Sequence, residues 1–256
     1  MAEVTKGRNV GFDSDTFDIL MKYEDWHWWF QCRNSLIIRT MGRFSKTNQD
    51  ILEIGCGNGL VTKAIQDQYS NSNITATEFL EDGLSNARAR LSGVTFRQLD
   101  ARDMSEDGKF DVVCAFDVLE HIDADVEVMK SVRRSMKDDH SRFYITVPQH
   151  MTLWSQADAY AKHERRYVFK EMKEKLSLAG FEVEYKSSYV FLLAPLMYVS
   201  RFLNKKNNNY NFEREFEISK LSNALFVSIM KIEAMLRYFG LPMPFGGSLV
   251  VVAKPI

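Results

Sequence analysis

The sequence has no charge excess of either sign: 33 lysines and arginines stand against 34 acids in 256 residues, a formal charge of −1. A nucleic-acid binder would normally show a basic excess, so that class is set aside. Cysteine is scarce, and Cys32, Cys56 and Cys114 are scattered, odd in number and without a C-x-x-C pair. That argues against a disulfide framework and a zinc site, and fits a reducing cytoplasm with no metal expected. No run of about 18 apolar residues occurs, so no transmembrane helix is expected. Met1 to Asp18 is polar and charged, unlike a secretory signal, and residues 1 to about 12 read as a loose terminus. No internal repeat is visible. What is present is a chain 45% hydrophobic, enough for one sizeable core and an added lobe.

The most informative stretch begins at Asp50. A short apolar run, Ile51 to Ile54, suits a buried strand, and Gly55, Gly57 and Gly59 follow in alternation. A helical pattern (Leu60, Val61, Ala64, Ile65) comes next. Strand, glycine turn and helix open a doubly wound nucleotide-binding sheet, with the first N–H groups of the helix facing the crevice. The spacing is E-x-G-x-G-x-G, with Glu53 leading, and not the G-x-G-x-x-G of a dinucleotide site. An acid there repels a pyrophosphate and suits a cationic ligand, which disfavours a dehydrogenase. A second strand, Ile74 to Thr77, ends at Glu78, placed to take ribose hydroxyls, and Phe79 beside it offers a face for adenine.

Taken together, ILEIGCGNG, TATEF, LDARDM and FDVVCAFDVLEHI resemble the class I S-adenosylmethionine-dependent methyltransferases over roughly residues 50 to 150. The resemblance implies an α/β Rossmann-like doubly wound sheet of seven strands, the last antiparallel, and S-adenosyl-L-methionine as cofactor. It places that cofactor against Glu53, Gly55, Cys56 and Gly57, with Glu78 and Phe79 beyond. Asp100 would receive the adenine amino group and the Ala101 backbone would reach the ring. Backbone carbonyls near Ala115 and Phe116 would accept from the ammonium group. The fourth strand lacks the N-P-P-Y or D-P-P-Y ending of amino-methylating DNA and glutamine enzymes, which again points away from nucleic acid.

From Phe17 to Phe44 the pattern is helical and aromatic, with Trp26, Trp29 and Phe30 on one face that Arg33 and Ile37 continue. Such a helix either packs onto the sheet as core or covers the cofactor as a lid. As a lid it would bring His27 and Arg33 to the pocket, Arg33 meeting the cofactor's carboxylate. The expected organisation is therefore an N-terminal helical lid over 1–45, a binding domain of 46–189 with 248–256, and a helical insertion over 190–247. The insertion separates strands six and seven. It holds a Pro195-broken apolar segment, an asparagine- and lysine-rich loop over 204–211, and an amphipathic helix over 215–239 with Ile218, Leu221, Leu225, Ile229, Ile232, Leu236 and Phe239 on its stripe. A cap on the substrate pocket, a homodimer face and a peripheral membrane contact are its alternative readings.

After strand five come Trp154, Asp158, Tyr160, His163, Arg165, Arg166 and Tyr167, a density of polar and aromatic groups that no packing period explains. Similar H-x-R-R-Y segments occur in methyltransferases encoded among bacterial surface-polysaccharide and glycolipid genes. Trp154, Tyr160, Arg165, Arg166 and Tyr167 are the expected substrate-binding set, with His163 as general base and His121 as its reserve. The alternative is a solvated turn in which Arg165 and Arg166 pair with Glu164 or Glu171. The expected activity is methyl transfer to a small-molecule or glycan/glycolipid acceptor, at a hydroxyl oxygen, in the cytoplasm or at the inner face of the membrane. N-methylation of an amine and a non-catalytic cofactor-binding scaffold are the rival functions.

Overall fold

The computed structural model describes residues 14–104, 107–203 and 210–256. The loose terminus expected over 1–12 and most of the loop expected over 204–211 lie outside them. Seven strands form one sheet in the order β3-β2-β1-β4-β5-β7-β6. They are β1 (Asp50–Ile54), β2 (Asn73–Glu78), β3 (Thr95–Gln98), β4 (Val112–Phe116), β5 (Arg142–Pro148), β6 (Phe181–Tyr189) and β7 (Ser248–Pro255). Strands β1 to β5 are parallel, and β7 runs antiparallel between β5 and β6. The central strands are covered on both faces, so their side chains are apolar without alternation; all five residues of β4 are buried.

Helices α3 (Leu60–Gln68), α4 (Glu81–Arg90), α5 (Asp125–Ser135), α6 (Gln156–Tyr160) and α7 (Phe169–Leu178) follow the strands. One core cluster, around Val113, Met129, Val132, Phe143 and Leu176, fills one face of the sheet. A second, around Ile37, Met41, Ile51, Ile65 and Tyr144, fills the other.

The N-terminal helix is two helices, α1 (Ser14–Glu24) and α2 (Trp28–Phe44), where one was expected. His27 is extended (φ −71°, ψ 135°) and caps α2, its ring nitrogen Nδ1 accepting from the Trp29 N–H at 3.3 Å. The break takes Trp26 off the shared face. Its indole donates to the Lys22 carbonyl and the residue is 43% exposed, while Phe30 and Ile37 are buried.

The insertion folds as α8 (Ala194–Leu203), a short 3₁₀ turn and α9 (Lys220–Tyr238). Pro195 sits in the first turn of α8, where its missing N–H costs nothing. Helix α9 begins later than expected because the Ser219 side chain caps it. Asn223 accepts from Trp28 N–H (2.7 Å) and donates to the Trp26 carbonyl (3.0 Å), tying α9 to the start of α2. Glu233, the only acid in α9, is fully buried and accepts from the N–H groups of Val190 and Leu192 (3.0 Å each) and from Arg237 (2.8 Å). A buried carboxylate with that many donors fixes the helix's rotation as well as its position.

Gly246 lies where the insertion returns to the sheet, and a Cβ there would run into the Tyr189 carbonyl. Gly42, on the exposed side of α2, has open space around it. Gly246→Ala should therefore cost about 1–3 kcal/mol, whereas Gly42→Ala should stabilise by roughly 0.5–1 kcal/mol. Denaturant titration of both variants checks the pair; equal effects would show that the Gly246 approach is not tight.

Candidate active site

The C-terminal ends of the parallel strands open onto a cavity of about 530 Å³. This is where doubly wound sheets bind ligands. The chain reaches it by the glycine turn. Gly55 (φ +69°) and Gly59 (φ +77°) take left-handed conformations, and a side chain at Gly55 would strike Val118. Glu78, at the end of β2, accepts three backbone N–H groups: Gly57 at 3.0 Å, Phe79 at 2.8 Å and Leu80 at 3.1 Å. Burial still pushes its carboxyl up, more than these bonds pull it down. Buried Asn58 donates to the Phe17 carbonyl (2.9 Å) and to Glu24 (3.1 Å), so α1 is pinned across the glycine turn. Arg90 pairs with the same Glu24 at 2.9 Å.

All ten residues expected around a cofactor line this one cavity: Glu53, Gly55, Cys56, Gly57, Glu78, Phe79, Asp100, Ala101, Phe116 and Arg33. Asp100 holds the N–H and guanidinium of Arg102 at 3.0 and 2.9 Å. Arg33 pairs with Asp117 at 2.7 Å, and its buried Nε has no partner among the described residues. An unpartnered cationic donor beside a cavity suits an anionic ligand group. Glu53 accepts from the Thr62 hydroxyl at 2.6 Å, and complete burial pushes its carboxyl up to about 7. His27 also lines the cavity, and burial lowers it to about 4.

The two candidate bases lie together. The rings of His121 and His163 meet edge to face with centroids 4.6 Å apart. Asp158 is the residue that organises them, and its place was not evident from spacing. It lies 3.0 Å from His163 Nδ1 and accepts the Arg166 fork at 2.7 and 3.0 Å. Burial alone would push Asp158 up, but bonds from His163 and Arg166 hold it well below the usual carboxylate range. Ser155 closes the other side with a capping box. His121 is lowered to about 3 by burial and by His163. Next to it, Glu120 is fully buried, with no hydrogen-bond partner for either oxygen among the described residues. Glu120, His121 and His163 each offer a donor atom within 4.8 Å of the others, a grouping able to hold a metal ion that the scattered acids and cysteines did not suggest.

The expected substrate set divides. Arg166 lines the cavity, while Trp154, Tyr160, Arg165 and Tyr167 do not. Tyr167 is fully buried, its hydroxyl 2.6 Å from Asp125 and 3.1 Å from the Leu119 carbonyl. Arg165 turns the opposite way from Arg166 and pairs with Asp125 at 2.8 Å, an ion pair with neither Glu164 nor Glu171. Tyr160 stacks on Phe212 of the insertion, centroids 4.5 Å apart, and Trp154 stands edge-on to the His163 ring at 6.5 Å. Arg166 gives its Nε and one Nη to Asp158 and the other Nη to the Gln149 carbonyl, so three of its five N–H groups are engaged within the protein. The insertion supplies wall residues that no motif marked: Met197, Arg201, Phe212, Glu215 and Phe216.

Residues 51–139 match the family described as "Methyltransferase domain". The ubiquinone biosynthesis O-methyltransferase of Pseudomonas aeruginosa is 32% identical over 111 residues, 41% of this chain and 47% of that protein. The chain thus spans about half the length of the first curated relatives it matches. Among solved structures, a chain of the complex between the Haloferax volcanii Trm112 methyltransferase activator and a methyltransferase aligns with a TM-score of 0.62 at 16% identity. That alignment covers 93% of this chain and 97% of that one. The [4+2]-cyclase SpnF aligns equally well, TM-score 0.62 at 15% identity, over 98% of this chain and 99% of its own. At such identities the likeness is one of fold, and the cyclase shows that this fold alone does not name a reaction.

A carboxyl raised by burial binds its proton more tightly folded than unfolded. Glu53's contribution to stability therefore falls as pH rises from the unfolded value of about 4.3 through its folded value of about 7. Glu53→Gln should remove that loss, so the stability gap between variant and parent should shift in the variant's favour by about 3 kcal/mol between pH 5 and 8. Calorimetric unfolding across that range checks it; a gap independent of pH would mean Glu53 ionises normally.

Proposed function

From a chain that carries a class I S-adenosylmethionine-dependent methyltransferase domain, we propose an enzyme that methylates a hydroxyl oxygen of a small-molecule or glycan/glycolipid acceptor. The observation that carries this reading is the Asp158–His163 pair on the wall of the cavity that also gathers the ten cofactor candidates. In this reading Glu78 holds the ribose hydroxyls, Asp100 and Ala101 the adenine, and Arg33 the carboxylate of the cofactor. S-adenosylmethionine, when bound, supplies an electrophilic methyl carbon on a sulfonium. Residues 46–189 with 248–256 would form the binding domain, 1–45 the lid and 190–247 the acceptor-side cap.

The residues of this chain then have to orient a hydroxyl and take its proton. Asp158, held ionised, can only accept, so His163 donates to it through Nδ1, and the tautomer with its proton there has its lone pair on Nε2. That is the arrangement of a general base steadied by a carboxylate. Arg166 acts through Asp158, holding it in place. His121 is a poor reserve: with its value near 3, placing a proton on it at pH 7 would cost about 5 kcal/mol. Its role here is to pack edge-on against His163 and hold that ring's plane. Phe17, Phe116 and Phe216 give the same cavity apolar wall.

Release of S-adenosylhomocysteine in the presence of phenolic and lipid-linked glycan acceptors tests the activity. His163→Ala should lower kcat by about 10²- to 10⁴-fold while leaving S-adenosylhomocysteine affinity unchanged in calorimetric titration. Full turnover in that variant would remove His163 as base. Tight cofactor binding without turnover on any acceptor would favour the scaffold reading.

A further inference from the structure

The helix α9 turns the wrong side to water. A surface helix normally faces solvent with charges and the core with its apolar stripe. Here Leu221, Leu225, Ile232, Met235, Tyr238 and Phe239 are between 48% and 86% exposed. They recur at three- and four-residue steps along nearly five turns, which makes them one face. The polar residues exposed along it are Ser228 and, on one margin, Lys220 and Lys231. No acid accompanies them, because Glu233 is inside.

This orientation is imposed. Glu233 is anchored to the backbone at the end of β6 through Val190 and Leu192, and Met230 is packed into the cluster formed by Leu36, Tyr189 and Leu193. Turning the stripe inward would carry Glu233 out to water and leave the N–H groups of Val190 and Leu192 and the Arg237 guanidinium without their acceptor. A contiguous apolar face of this extent marks an interaction surface.

We propose that the outer face of α9 lies on an anionic lipid bilayer. The charge pattern selects this occupant. A second copy pairing through the same face would bring lysines together with no acid opposite them, whereas anionic headgroups supply the missing counter-charge. The aromatic rings of Tyr238 and Phe239 at one end suit the headgroup boundary. No helix among the described residues is long and apolar enough to cross a membrane, so α9 would lie in the plane of the interface. Its partner helix in the insertion, α8, contributes Met197 and Arg201 to the cavity and leaves Leu196 and Val199 outside. The insertion that would rest on the lipid therefore also walls the acceptor side of the cavity.

Flotation of the full chain with vesicles tests this, and the result does not depend on any methyl transfer. The parent should float with phosphatidylcholine vesicles containing phosphatidylglycerol and much less with phosphatidylcholine alone, binding weakening as salt rises. L225E/I232E should lower the partition coefficient more than about tenfold, with an unchanged circular dichroism spectrum and melting temperature. K220E/K231E should lose the preference for phosphatidylglycerol. Light scattering without lipid should give a monomer for parent and variant alike. A dimer that L225E/I232E dissociates, or equal binding to both vesicle types, or no binding to either, would overturn the proposal.

Discussion

Burying a carboxylate at the mouth of a sheet is costly unless donors surround it, and the architecture around the cavity is largely a set of answers to that requirement. Glu78 takes three backbone N–H groups, which ties the end of β2 to the glycine turn after β1. That turn in turn presents Asn58, which holds α1 by its backbone carbonyl at Phe17. Helix α1, which lines the cavity with Phe17, Leu20 and Glu24, is thus fixed through two short links to the end of β2. Glu233 solves the same problem at the far side of the molecule, where α9 supplies the acid and β6 the N–H groups. In both places an acid meets main chain, which leaves the positions of two elements mutually determined.

Asp158 is a third case with a different partner. Its donors are side chains and its own capping turn, and it carries full charge where Glu53 and Glu120 are pushed toward the neutral form. The acids of the cavity wall therefore differ in charge. Asp158 is ionised between an imidazole and a guanidinium. Glu53 and Glu120, the latter beside the same His163, are carboxyls poorly able to lose their protons until a cation approaches. A cationic ligand would meet groups that gain most from its charge.

Much of this was legible in the sequence, for local reasons. Strand, glycine turn and terminal acid are adjacent in the chain, so Glu53, Gly55, Gly57, Glu78 and Asp100 converge wherever that pattern folds as a parallel sheet. The segment after β5 was harder because direction there depends on tertiary contacts. Arg165 and Arg166 are neighbours that point to opposite sides, one to Asp125 and one to Asp158, and nothing in H-E-R-R-Y says which. Tyr167 looks like a ligand group and is core, because Asp125 and the Leu119 carbonyl lie where its hydroxyl ends. The stripe of α9 was read correctly as a period. Which side of it faces inward was decided by Glu233, a residue off the stripe. The break at His27 was missed because Trp26 continues a helical spacing that the cap interrupts.

The place of β7 has a consequence for how the chain comes to be folded. It lies between β5 and β6, although it is made after both, and after the whole insertion. Until residues 248–255 have been synthesised, β5 is an open edge carrying Phe143, Ile145 and Val147, and β6 has no sheet to join. The growing chain thus spends the time needed to make about a hundred residues with an unpaired apolar edge. The last strand must then pair with β5 on one side and recruit β6 on the other. Such late, long-range pairing is slow, and it exposes the nascent protein to edge-to-edge association. A ribosome-bound intermediate lacking β7 is the state that a holding chaperone would find.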